Sequence, residues 1–68
     1  MIDLNNFCVE SSISILSALK KVDINGLGIL FVTKDGILYG SLTDGDIRRA
    51  LIKGAIKEDC IEEFCNEK

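Results

Sequence analysis

The sequence predicts a small α/β (α+β) domain with the order short strand, helix, strand, strand, helix. Residues 27–33 and 37–42 are two runs of β-branched, aromatic and aliphatic types, separated by Lys34-Asp35-Gly36, a tight-turn signal that marks a β-hairpin. Ile13, Leu16 and Leu19, with Ala18 among them, recur at helical spacing ahead of that hairpin, and Ile47, Ala50 and Leu51 do so behind it. The length of 68 residues leaves room for one small domain.

Each element has a local reason. Phe7, Cys8 and Val9 suit a very short first strand. The first helix is expected near 12–23, with Ser11 or Ser12 capping its free N–H groups. Lys20 and Lys21 would then occupy its last turn, and Asn25-Gly26 would stop it. Both hairpin strands are apolar on nearly every residue, which predicts that both faces are covered, one by the first helix and the other by the second helix or a partner. The second helix follows Thr43-Asp44-Gly45-Asp46 almost without a loop and ends at Lys53, with Gly54 in the C′ position. Ile61, Phe64 and Cys65 share helical spacing in an acidic tail, which reads as a short amphipathic turn or a linker.

Composition narrows the function. Hydrophobic residues are 47% and charged residues 28%, a globular balance. Eight Lys/Arg against eleven Asp/Glu give a net charge of −3, which speaks against a nucleic-acid module with its dense basic face. The acidity is concentrated: residues 1–57 hold seven basic and six acidic side chains, residues 58–68 one and five. No apolar run approaches the ~20 residues of a membrane span, and MIDLNNF has no signal-peptide character. With no His in the chain, Ser–His and Cys–His catalysis and His-ligated zinc fall away, so an independent enzyme is not expected. Cys8, Cys60 and Cys65 are odd in number and form no CxxC pair, which fits free thiols in a reducing cytoplasm. A domain of roughly 60 residues buries only about 60% of its unfolded surface. Association is the expected source of further stability.

The stretch Gly40-Ser41-Leu42-Thr43-Asp44-Gly45-Asp46 is the most informative chemically. A strand that turns straight into a helix N-terminus presents unpaired N–H groups and partial positive charge, which favour phosphate. Thr43 adds a hydroxyl, Asp46 can accept from vicinal hydroxyls such as those of a ribose, and Arg48 and Arg49 can supply charge. The same spacing also reads as a capping box, Thr-x-x-Asp, with the two arginines on a solvated helix face. Phe31 and Tyr39 suit core or interface better than base stacking. Spacing alone leaves both readings open.

The block GILFVTKDGILYGSLTDGDIRRALIKG resembles a CBS domain, the cystathionine-β-synthase-type regulatory repeat, and the resemblance extends over residues 7–60. It implies that the repeat works in pairs, as a Bateman module whose clefts take adenosine-containing ligands such as AMP, ADP, ATP or S-adenosylmethionine. It further implies that Thr43 meets a phosphate, that Asp46 meets ribose hydroxyls, and that Gly28, Ile29 and Leu30 frame the base, with Arg48 nearby. Many family members have Pro at the position of Leu30, whereas this chain has no Pro. LTDGDIRRALIKG is similar to the repeats attached to sugar-phosphate nucleotidyltransferases and to sugar-phosphate isomerases such as arabinose-5-phosphate isomerase. Met1 stands close before the repeat, an arrangement that matches the nucleotidyltransferases better. The resulting expectation is one repeat over 1–60 and, over 61–68, a linker toward a second repeat. Its role would be ligand sensing within a homodimer, without nucleic acid or membrane, or alternatively ligand-free assembly.

Overall fold

The computed structural model describes residues 6–67. The elements are β1 (Cys8–Glu10), α1 (Ile15–Asn25), β2 (Ile29–Lys34), β3 (Ile37–Thr43), α2 (Asp44–Ile52), a 3-10 turn (Ile61–Glu63) and β4 (Asn66–Glu67). The four strands form one sheet in the order β1-β2-β3-β4. β1 runs parallel to β2, and the other neighbours are antiparallel. The expected α+β order is present, followed by a turn and a strand from the acidic tail.

The hairpin forms where the local chemistry points. Asp35 and Gly36 both have positive φ, 53° and 79°, the backbone that a two-residue loop between twisted strands requires. α1 is displaced from its expected position. Its N-cap is Ser14, not Ser11 or Ser12, and the Ser14 side chain accepts from the Ser17 N–H at 3.1 Å. The Ile15 and Leu16 N–H groups donate to the carbonyls of Asp59 (2.9 Å) and Lys57 (3.0 Å), so a distant segment completes the cap. Ser11 is instead buried at the end of β1, donating its N–H to Thr33 and its hydroxyl to Glu62. The helix runs on to Asn25 and stops at Gly26 in the left-handed region, so Lys20 and Lys21 lie mid-helix and its last turn holds no basic residue. Its buried stripe is Ile15, Ala18 and Val22: the period is as expected and the phase is not, since Leu16 is exposed and Ile13 precedes the helix.

One core gathers Val9, Leu30, Val32 and Leu42 from the sheet, Ile15, Ala18 and Val22 from α1, Ile47 and Ala50 from α2, and Ile61 from the turn. Strand alternation puts the four sheet residues on one face, and both helices cover that face. Of the two covers expected for the second face, the second helix is therefore ruled out, since α2 lies on the first face beside α1. The second face carries the row Cys8, Phe31, Ser41 and Asn66, paired across the four strands, with Phe31 43% exposed.

Residues 61–67 belong to this packing. Ile61 is fully buried and its N–H donates to the Ile13 carbonyl at 3.0 Å. β4 lies so close to β3 that a Cβ on Gly40 would collide with the Asn66 carbonyl oxygen and come within 2.9 Å of its carbonyl carbon.

Candidate functional site

Thr43 ends β3 and caps α2, so the strand delivers its hydroxyl directly to the helix N-terminus. The capping box is complete. Thr43 Oγ1 accepts from the Asp46 N–H at 3.1 Å, and the Thr43 N–H donates to Asp46 Oδ2 at 2.9 Å. The Asp44 N–H donates to the Gly28 carbonyl at 2.9 Å, and Ile29 pairs with Thr43 across the hairpin. Gly28, Ile29, Thr43 and Asp46 therefore meet at one end of the sheet. Leu30, one register further along opposite Leu42, has no exposed side chain. Its part in any site is limited to its backbone.

Both arginines lean back over the first turn of α2. Arg48 pairs with Asp44 at 3.5 Å, an exposed i,i+4 contact, and Arg49 Nη2 donates to Asp46 Oδ1 at 2.6 Å. A Cβ placed on Gly45 would lie 3.3 Å from Arg49 Nη1, 3.8 Å from Thr43 Oγ1 and 3.9 Å from Arg48 Nη2. Two guanidinium groups, a hydroxyl and a helix N-terminus thus converge, a combination that suits phosphate oxygens.

Asp46 is the most constrained group. Its side chain is 10% exposed, and a third donor, the Asn66 side-chain amide, reaches Oδ2 at 2.8 Å. Burial pushes the carboxyl pKa up, but the hydrogen bonds from the Thr43 backbone and side chain and from Arg49 outweigh it and hold the group below its usual range. The carboxylate is ionised and already bonded on both oxygens. The i,i+3 spacing of Asp46 and Arg49 is a local signal that points to this pair. No local signal points to Asn66, which joins the site from 20 residues away.

A cleft of about 200 Å³ opens beside Asp46, lined by Arg49, Ala50, Lys53, Glu63 and Phe64. It is smaller than the ~300 Å³ at which small-molecule pockets begin. A second, of about 410 Å³, is lined by Asp59, Cys60, Glu62, Glu63 and Phe64, and its carboxylates are wrong for an anion. Among the described residues no group of His, Cys, Asp and Glu could hold a metal ion, the cysteines are free, and no helix is long and apolar enough to cross a membrane.

No family model matches the sequence, and no curated protein matches it. Solved structures do. A cystathionine-β-synthase-domain protein fused to a Zn-ribbon-like domain aligns at a TM-score of 0.82 and 20% identity over 91% of each chain. A CBS-domain protein from Agrobacterium tumefaciens aligns at 0.82 and 22% over 91% of this chain and 48% of its own. A CBS-domain protein from Pyrobaculum aerophilum, complexed with AMP, aligns at 0.78 and 14% over 90% of this chain and 49% of its own. The fold is that of a CBS domain, and the chain spans about half the length of the latter two proteins.

Proposed function

We propose that this CBS repeat is a regulatory, ligand-sensing module that pairs with a second repeat and binds an adenine nucleotide at the Thr43–Asp46 end of its sheet. The observation that carries the reading is the convergence of Thr43, Asp46, Arg48 and Arg49 on the α2 N-terminus beside Gly28 and Ile29. The AMP complex of the Pyrobaculum protein, which has the same fold, supports the ligand class. In this reading Thr43 and the α2 N-terminus at Gly45 hold a phosphate, Arg48 adds charge, Asp46 accepts from the ribose diol, and the backbone of Gly28, Ile29 and Leu30 lies along the base. AMP, ADP, ATP and S-adenosylmethionine all carry the required adenosine.

One repeat supplies a cleft too small for such a ligand, and a second copy packed on the open sheet face would supply the other wall. The homodimer has a direct apolar basis in Phe31 at 43% and Leu38 at 43% exposure. A ligand that favours one arrangement of the pair shifts its population and passes the shift to a neighbouring domain. We place the repeat in a cytoplasmic, sugar-phosphate nucleotidyltransferase-like protein, on the strength of the LTDGDIRRALIKG block. The repeat itself is regulatory rather than catalytic.

A ligand-free assembly module is the second reading, favoured by the saturation of the Asp46 carboxylate by its own chain. Calorimetry with each of the four ligands, repeated on Asp46→Ala, separates the two. Heat that disappears in the variant supports the sensor. No heat up to millimolar ligand, with sedimentation still showing a dimer, leaves assembly alone. A monomer at micromolar concentration defeats the pairing.

A further inference from the structure

We infer that β4 is a built-in strap over the ligand site, in which the Asn66 side chain holds the place on Asp46 that a ligand hydroxyl would take. The inference rests on the proposed nucleotide reading and adds a regulatory device to it.

The three donors on Asp46 are not equivalent. The Thr43 N–H belongs to the helix cap, and its bond persists as long as α2 does. Arg49 is a charged donor, 63% exposed, whose guanidinium already lies beside Gly45 at the α2 N-terminus, where a phosphate would sit. Asn66 is a neutral donor from outside the cap, reaching Oδ2 at 2.8 Å. A sugar hydroxyl offers the same kind of bond, neutral donor to carboxylate, so ligand and Asn66 exchange one for one. With both oxygens occupied and the side chain 10% exposed, a diol reaches Asp46 only by displacing a donor.

β4 is built to be displaced. Its two residues are both exposed, and among the described residues it pairs with β3 through Glu67 opposite Gly40 and Asn66 opposite Ser41. Among the described residues its outer anchor is one side-chain bond, from the Tyr39 hydroxyl to Glu67 Oε1 at 2.6 Å. Its seat is specific nonetheless: only glycine at position 40 leaves room for the Asn66 carbonyl. The preceding turn is fixed by fully buried Ile61, so release can stop there without unfolding the core. Ligand entry would free the segment after Phe64, and that movement is what a neighbouring domain would sense.

The test is AMP calorimetry on the wild type and on Asn66→Ala, with NMR of the Asn66 side-chain amide in the wild type. Loss of a competing hydrogen bond to a charged group predicts AMP binding about tenfold tighter in Asn66→Ala. The Asn66 side-chain resonances should move as AMP saturates the wild type. Binding in Asn66→Ala with none in the wild type would support the strap most strongly. Equal, measurable affinity in the two proteins, or Asn66 resonances unmoved at AMP saturation, overturns the strap and leaves the nucleotide site standing. Absence of AMP binding in both overturns the nucleotide reading and the strap with it.

Discussion

The two faces of the sheet are made from the same strands and have opposite fates. On one, Val9, Leu30, Val32 and Leu42 are between 0% and 6% exposed beneath both helices. On the other, Phe31 lies between Cys8 and Ser41 with 43% of its surface in solvent. A strand without strict apolar–polar alternation suggests burial on both sides, yet a chain with two helices has to choose where to put them. Ala18 and Ala50, both buried and both small, let α1 and α2 lie together over a single face. The other face stays open with Phe31 and Leu38 exposed on it, the condition under which a small domain gains stability by association.

The largest effects separate the faces directly. Leu30→Ala and Ile61→Ala each remove a fully buried side chain and should each lower unfolding free energy by about 2–5 kcal/mol in urea titrations. Phe31→Ser should cost less than about 1 kcal/mol in dilute solution, since its site is already partly hydrated, while shifting the sedimentation profile to the monomer. Comparable losses at Leu30 and Phe31 would break the distinction between a covered and an open face.

The cap of α2 comes next. Thr43→Ala should cost about 1 kcal/mol by removing one half of the capping box. The Asp46 carboxyl is held below its ordinary value of 3.8 in the folded state, so its contribution is complete above that value and disappears as pH falls through the lower folded-state value. Urea midpoints along an acid series should therefore fall for the wild type and change less for Thr43→Ala. Parallel curves would mean that the cap does not set the Asp46 titration.

The smallest effect is spectroscopic. Tyr39 is the chain's one tyrosine, so ultraviolet absorbance reads it alone. Its hydrogen bond to Glu67 and, secondarily, desolvation push its pKa from 10.0 up to about 12. Because the folded value is raised, the contribution of this contact is present below the ordinary value and is lost as pH climbs through the folded one. Glu67→Gln should move the midpoint back toward the ordinary value. A wild-type midpoint that is already ordinary would show that β4 does not hold Tyr39 in solution.

What was legible in the sequence was what acts over a few residues. Asp35-Gly36 encodes its own turn, and Thr43 and Asp46, three apart, encode their own cap. The start of α1 was not legible, because Ser11, Ser12, Ser14 and Ser17 crowd one stretch and each is a competent cap. Ser14 is selected by the Asp59 and Lys57 carbonyls, which satisfy the next two N–H groups from more than forty positions away. The tail was ambiguous for the same reason: Ile61 reads as one apolar residue among acids until its place under the sheet is known.

The sequence by itself determined the order of the elements, the hairpin and the residue types at the α2 N-terminus, because hydrogen-bonding reach and side-chain period are local properties of the chain. Tertiary structure alone decided that both helices share one face, that Leu30 is core, and that Asn66 closes the ring of donors around Asp46. Those outcomes depend on which distant segments arrive together, and that is set by burial of the whole core.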